Sequence, residues 1–291
     1  MSSSFSNCRE IENPDIHPMT TPVVATECET PERFTESEVE QFGREGFVIV
    51  RGMVEADVIN EMIASTMSGL DGLIGPIEYE ADVQYPGSPA EFDSQGGLTV
   101  RRLKQALSRD FVFTQWLTDP KLVCRLQQIL GRTVIMPLAH HNCIMTKQPV
   151  YSSDTGWHQD IRYWSFESPE LVSVWLSLGH EYPDNGCLQL IPGTHRITFD
   201  RSRLDENLFL NPDLPENQKL INSKIHAELQ PGDVLFFHCR TLHAASRNFT
   251  DEPKFSAVFT FRGNDNPPRP GTRSASLPEL LLTPETQNES L

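Results

Sequence analysis

The residues best equipped for chemistry stand in "TGWHQDIRYW", Thr155 to Trp164. His158 and Asp160 are two apart, and in an extended strand such residues point to one side. An imidazole and a carboxylate can therefore reach one point, with Gln159 turned away. They would supply two of the three ligands with which non-haem Fe(II) oxygenases hold their metal, leaving positions open for substrate and oxygen. The third must come from among nine histidines. His243, in "GDVLFFHCRTLHAASRN", is the best candidate, after a strongly apolar strand and before a small-residue turn. His238 is the rival, although the end of "VLFFH" suits a rim histidine equally well. His140 and His141 are adjacent, so at most one faces inward. His180, His195 and His226 sit at turns or strand starts and read as structural.

A second cluster lies in "KFSAVFTFR". Phe255, Ala257, Phe259 and Phe261 alternate with Lys254, Ser256, Val258, Thr260 and Arg262, the period of a strand with one aromatic face. The aromatic face suits packing beneath helices. On the other, Lys254 and Ser256 stand side by side, pointing into a barrel. A buried cation calls for an anion, and a dicarboxylate co-substrate would supply one.

Local signals indicate the elements that would position these groups. Thr35 and Glu38 form a capping box that opens a short helix, Gly46 can end it, and "FVIVRG" reads as a strand. A second helix is expected over about Ala56 to Gly69. Residues 70–100, rich in Gly, Pro and acids, read as irregular. "TDPKLVCRLQQILG" is a helix capped by Asp119, with Pro120 at its first position and Gly131 as its stop. From Thr133 onward short apolar runs alternate with Gly or Pro punctuation: "TVIMPLAHHNCIMTK", "LVSVWLSLG", "CLQLIPG", "KIHAELQPG", "DVLFFH" and "FSAVFTFR". That texture is an all-β sandwich or barrel. Residues 197–222 interrupt it with a polar insertion of the kind that serves as a lid. Residues 1–33 read as a disordered tail, 34–264 as one domain, and 265–291 as an irregular Pro-rich tail.

Composition excludes some partners. The chain of 291 residues has 24 basic and 40 acidic side chains, a net charge of −16, which argues against binding a phosphate backbone. There is no signal-peptide pattern and no apolar run of the length a membrane helix needs, so no membrane partner is expected and the cytoplasm is the expected compartment. The six cysteines, none in a Cys-x-x-Cys pair, read as free thiols in a reducing environment.

Taken together, "WHQDIRYW", "NGCLQLIPGTHR" at 185–196 and "GDVLFFHCRTLHAASRN" at 232–248 resemble the phytanoyl-CoA dioxygenase family of Fe(II)- and 2-oxoglutarate-dependent oxygenases. The early "FGREGFVIVRGMV" looks like that family's opening helix and strand, and the similarity spans about residues 33–262. The resemblance implies a double-stranded β-helix, mainly β with flanking helices. It implies His158, Asp160 and His243 as iron ligands, and Fe(II), 2-oxoglutarate and O2 as cofactors, with ascorbate assisting. The family's usual arginine for the distal carboxylate of 2-oxoglutarate is replaced by Lys254, with Ser256 in the place of its serine. Lysine offers a point charge where arginine offers a bidentate fork. Arg262, on the same face, is the substitute if Lys254 does not serve. Trp175 matches a tryptophan lining the co-substrate pocket, and Arg102 or Lys104 falls near a basic residue of the family. Arg162, Tyr163 and Trp164 would form substrate-pocket wall, and Arg162 suggests an anionic substrate. "NGCLQLIPGTHR" reads as mainly structural.

The implied reaction is oxidative decarboxylation of 2-oxoglutarate to succinate and carbon dioxide, coupled to hydroxylation of an unactivated C–H bond in a small molecule. An aspartate at 160, where related halogenases carry a small residue, favours hydroxylation, desaturation or ring formation over halogenation. Two other classes fit more loosely. A metal-dependent dioxygenase or isomerase of similar barrel fold would form no succinate. A non-catalytic binding member of the family would bind neither Fe(II) nor 2-oxoglutarate.

Overall fold

The computed structural model describes residues 32–282. All but the last two residues of the expected N-terminal tail, and the chain beyond 282, lie outside them. Helix α1 (Glu36–Glu45) starts as its sequence dictates: the Thr35 hydroxyl accepts from the Glu38 amide, and the Glu38 carboxylate accepts from the Thr35 amide. Gly46 ends it in the left-handed conformation at φ 82°. A Cβ there would lie 2.4 Å from His195 and 2.6 Å from Thr241, so both backbone and space require glycine.

The elements then follow in order: β1 (Phe47–Val50), α2 (Ala56–Asp71), β2 (Ile77–Tyr79), β3 (Val100–Lys104), α3 (Phe111–Leu117) and α4 (Pro120–Leu130). After these come β4 (Val134–Pro137), β5 (Asn142–Lys147), β6 (Thr155–His158), β7 (Leu171–Ser177) and β8 (Leu188–Leu190). The rest are α5 (Pro215–Ile221), β9 (Ile225–His226), β10 (Val234–His238), β11 (His243–Ala245), β12 (Lys254–Gly263) and β13 (Glu279–Leu282).

All pairings between these strands are antiparallel. A nine-stranded sheet runs β1-β10-β7-β12-β5-β3-β2, with β4 and β13 attached at the far end of β12. A four-stranded sheet, β6-β11-β8-β9, closes over its inner face. The helices cover the outer face. The alternation of β12 explains this layering: Phe259 and Phe261 join Phe236, Trp116, Leu122 and Leu126 in the core beneath the helices. Burying each such side chain contributes about 1.5–3 kcal/mol. Val258, Phe237, Leu235 and Trp175 face the other way, into the space between the sheets.

Several expectations need correction. Residues 70–100 are not wholly irregular, because Ile77–Tyr79 pairs with β3 as an edge strand. The C-terminal segment is not wholly irregular either: Glu279–Leu282 pairs with β4. That strand is pinned by Glu279, which accepts from Arg262 at 2.7 and 2.5 Å. "KIHAELQPG" yields only the two-residue β9. Cys124 is disulfide-bonded rather than free, while Cys143, Cys187 and Cys239 are buried free thiols. No helix among the described residues is long and apolar enough to cross a membrane.

Candidate active site

The smaller sheet brings the candidate ligands together. His243 of β11 lies directly opposite His158 of β6 in the antiparallel register, with ring centroids 4.1 Å apart. Asp160 is delivered differently from what strand alternation predicts. β6 ends at His158, and Asp160 opens a 3₁₀ turn over Asp160–Tyr163. Gln159 does turn away, donating to the Arg240 carbonyl at 2.6 Å. The ligand atoms of His158, Asp160 and His243 lie within 4.8 Å of one another, and all three residues are buried.

The surrounding bonds suit this set to a divalent metal. The Nδ1 atoms of His158 and His243 donate to the carbonyls of Gly156 (2.8 Å) and Thr241 (3.0 Å). That tautomer leaves each Nε2 lone pair aimed at the centre, where both Nε2 atoms lie 3.8 and 3.5 Å from Asp160 Oδ1. Burial holds both imidazoles below their ordinary pKa, His158 far below, so they stand neutral. Burial opposes ionisation of Asp160, but the positive charge of His141 and the hydrogen bond between them outweigh it and hold the carboxyl well below the usual range. The Ser173 hydroxyl donates to Asp160 Oδ2 at 2.8 Å. Two neutral imidazoles and one carboxylate, oriented by their outer partners, fit Fe(II).

Of the adjacent pair, His141 faces inward. Its Nε2 sits 3.1 Å from Asp160 Oδ1, and although burial disfavours its charged form, the carboxylate raises its pKa to about 9. His140 bonds Ser274 instead, at 2.8 Å. The rival His238 is engaged at the rim, accepting from the Arg240 amide and lying 3.3 Å from Glu170.

Two cavities meet at His158 and Asp160. The inner one, about 60 Å³, runs between the sheets past Met145, Lys147, Trp175 and Lys254. The outer one, about 430 Å³, is lined by Tyr85, His141, Arg162, Tyr163 and Trp164. Arg102 borders both and pairs with Glu78 at 3.2 Å. Trp175 and Lys254 stand in the inner cavity, with the ammonium 5.0 Å from the Trp175 ring centroid. Arg262 is absent from that cavity. It is committed to Glu279, which removes it as a substitute for Lys254.

The sequence-based account missed three residues. Lys147 lies opposite Lys254 in the β5–β12 register and lines the inner cavity. It has no ion-pair partner among the described residues. Burial, then Arg101 and Lys254, holds its pKa well below the ordinary lysine value. Its signal was present, because alternation along β5 puts Lys147 on the face of Cys143 and Met145, which point between the sheets. Gly186 makes room for it. A Cβ at that left-handed glycine would lie 2.9 Å from Lys147 Cδ and 2.4 Å from the Ser246 carbonyl. The second residue, Glu181, is fully buried behind Lys254 and bonds to it at 2.8 Å. The third, Phe209 of the 197–222 insertion, stacks edge-on against His158 with centroids 5.7 Å apart. The Arg162 guanidinium lies 3.9 Å from the Phe209 ring centroid. No local pattern marked Glu181 or Phe209, because both arrive through tertiary contacts of loops.

A double-layered antiparallel barrel with two histidines paired across facing strands and an aspartate brought in by the turn that follows defines a non-haem iron oxygenase of the 2-oxoglutarate-dependent class. The family model for phytanoyl-CoA dioxygenase (PhyH) matches residues 42–256, and the chain belongs to that family. It is 26% identical over 264 residues to an ectoine dioxygenase of Halomonas elongata, covering 84% of this chain and 74% of the relative. It is similar in fold to the EctD structure from S. alaskensis solved with 2-oxoglutarate and 5-hydroxyectoine, with a TM-score of 0.67 at 20% identity, covering 90% and 87% of the two chains. The carbocyclase SnoK from nogalamycin biosynthesis has a TM-score of 0.68 at 19% identity, covering 88% of this chain and all of the other.

Proposed function

We propose that the protein hydroxylates an unactivated C–H bond of a small molecule, with His158, Asp160 and His243 holding Fe(II). The observation that carries this reading is the pair of Nε2 lone pairs aimed, by backbone acceptors at Nδ1, at the carboxylate of Asp160. When bound, iron with 2-oxoglutarate and oxygen supplies the oxidising chemistry, with succinate and carbon dioxide as coproducts.

The protein's own groups divide the remaining work. The inner cavity takes the co-substrate. Lys147 and Lys254 offer positive charge to its far carboxylate, Trp175 and Met145 flank its methylenes, and Arg102 stands where the two cavities join. The outer cavity takes the substrate. Among the described residues Arg162 has only neutral partners there, the Tyr85 hydroxyl and the Asn207 carbonyl, each at 3.3 Å, and the Phe209 and Tyr163 rings. An unmatched guanidinium in the wall favours a substrate bearing a carboxylate or another anion. Tyr163 donates to the Asn207 carbonyl at 3.0 Å, so the insertion is tied to this wall and serves as its cover. Trp164 stacks near His141, with centroids 5.4 Å apart, and closes the opposite side. Excluding water here protects the reaction from uncoupled turnover.

SnoK is a carbocyclase and EctD was solved with 2-oxoglutarate and 5-hydroxyectoine, so this barrel is compatible with ring closure and with a hydroxylated ligand. Asp160 is compatible with both, and hydroxylation is the reading adopted. The free buried thiols support a cytoplasmic location, against which the Cys124 disulfide weighs. The test of function is a screen of small carboxylated and zwitterionic metabolites, scored by succinate release with Fe(II), 2-oxoglutarate and ascorbate. Substrate-dependent succinate is expected. Turnover of a substrate with no succinate would replace this reading with a dioxygenase or isomerase that needs no 2-oxoglutarate.

A further inference from the structure

Glu181 has no role in the chemistry above, yet it is among the most completely buried charges in the molecule. Its Oε1 accepts from Trp175 Nε1 at 2.9 Å and from the Ser256 hydroxyl at 2.7 Å, and its Oε2 accepts from Lys254 Nζ at 2.8 Å. Two of these donors, Trp175 and Lys254, line the inner cavity that a co-substrate carboxylate would enter. The Glu181 backbone is anchored, its amide and carbonyl exchanging hydrogen bonds with Leu229 at 2.8 and 3.0 Å, and the three donors hold its carboxylate. It lies outside the cavity lining, whereas Lys254 and Trp175 lie within it.

From this arrangement we infer that Glu181 sets co-substrate specificity, as an internal counter-ion that cancels the charge of Lys254 and weakens the preference for a dicarboxylic over a monocarboxylic 2-oxo acid. The inference rests on the co-substrate reading above. A charge-assisted hydrogen bond discriminates strongly only when its donor is not already neutralised. In this protein Lys254 has one hydrogen bond to a buried carboxylate and only a long one, 3.4 Å, to Ser256. At Lys254, therefore, the far carboxylate of 2-oxoglutarate meets an ion pair rather than a bare cation, with Lys147 opposite. Glu181→Gln would keep an oxygen for Trp175 and Ser256 while turning an NH2 toward Lys254. The ammonium would then be left to the cavity.

The test is anaerobic calorimetric titration of the Fe(II)-loaded protein with 2-oxoglutarate and with 2-oxobutyrate, which lacks the far carboxylate. The readout is the ratio of the two dissociation constants, with melting temperature as the control for folding. E181Q should raise the preference for 2-oxoglutarate about tenfold or more, mainly through tighter 2-oxoglutarate binding. Lys254→Met alone, which leaves the Glu181 carboxylate unpaired behind the cavity, should lower the preference about tenfold, and adding Glu181→Leu should restore most of it by removing that carboxylate. An unchanged ratio in E181Q overturns the inference. So does a double variant whose preference is no higher than that of Lys254→Met alone, a comparison that reads independently even if E181Q does not fold. If no form of the protein takes up either 2-oxo acid, the co-substrate reading itself falls and this inference with it.

Discussion

At the metal end of the barrel interior, two neutral imidazoles and Asp160 converge with their lone pairs aimed at one point. At the opposite end, Lys254 and Glu181 meet at 2.8 Å with both side chains buried. The first arrangement leaves two Nε2 lone pairs aimed past the His141–Asp160 pair at a point that suits a metal cation; the second is closed within the chain. Lys147, opposite Lys254 in register, is a cavity-lining amine with no ion-pair partner among the described residues, and burial disfavours its charged form until an anion arrives. Metal binding should thus depend steeply on single residues, whereas co-substrate binding is shared and attenuated.

The largest effect should come from opening the metal end further. His158→Ala or Asp160→Ala is expected to reduce Fe(II)-dependent succinate formation to background and to abolish stoichiometric Fe(II) binding. The circular dichroism spectrum should stay that of wild type, because both residues end a strand or open a turn rather than carry the core. Normal turnover in either variant would remove the triad assignment.

Lys147→Met addresses the other end. Losing one charge-assisted hydrogen bond corresponds to about 1.5–3 kcal/mol, or roughly a 10- to 100-fold rise in KM for 2-oxoglutarate. The limiting kcat should change far less, since Lys147 lies away from the metal ligands. If KM is unmoved, the far carboxylate is held by Lys254 despite Glu181, or by Arg102.

The contrast also explains what was legible in the sequence. Strand alternation and capping chemistry are local, so the α1 capping box, the Pro120 helix start and the two faces of β12 could all be read from neighbouring residues. The proposed triad could be read in part: the His158–Asp160 spacing is local, and the place of His243 after an apolar strand and before a small-residue turn favours it over His238, with the family resemblance agreeing. The reason offered for that spacing was wrong in detail, since Asp160 comes from a turn. The inner end was illegible because Glu181 reaches Lys254 from a loop 73 residues away in sequence. Likewise, nothing within Arg262's own strand foretold that Glu279 would claim it.

Ser173→Ala tests the outer support of the metal end, with a smaller expected effect. The Ser173 hydroxyl holds Asp160 Oδ2, and loss of such an orienting bond lowers metal affinity by about 10- to 100-fold at most. Weaker Fe(II) binding with near-normal kcat at saturating metal is expected. A full loss of activity at saturating Fe(II) would mean that Ser173 does more than orient the carboxylate.

The subtlest expected difference is a slope with pH. Burial, with Arg101 and Lys254 close by, lowers the Lys147 pKa. A bound carboxylate favours the charged form and raises it again, so 2-oxoglutarate binding takes up a proton. Binding should then weaken as pH rises through the lowered Lys147 pKa and level off below it, where Lys147 is already charged. Lys147→Arg keeps its charge across the range and should flatten the profile, changing affinity at low pH by only a few-fold. If the wild-type profile is flat while K147M still weakens binding, Lys147 is charged throughout. The cationic crowding at the inner end is then already relieved by Glu181, and the two ends of the interior differ less in charge than their geometry indicates.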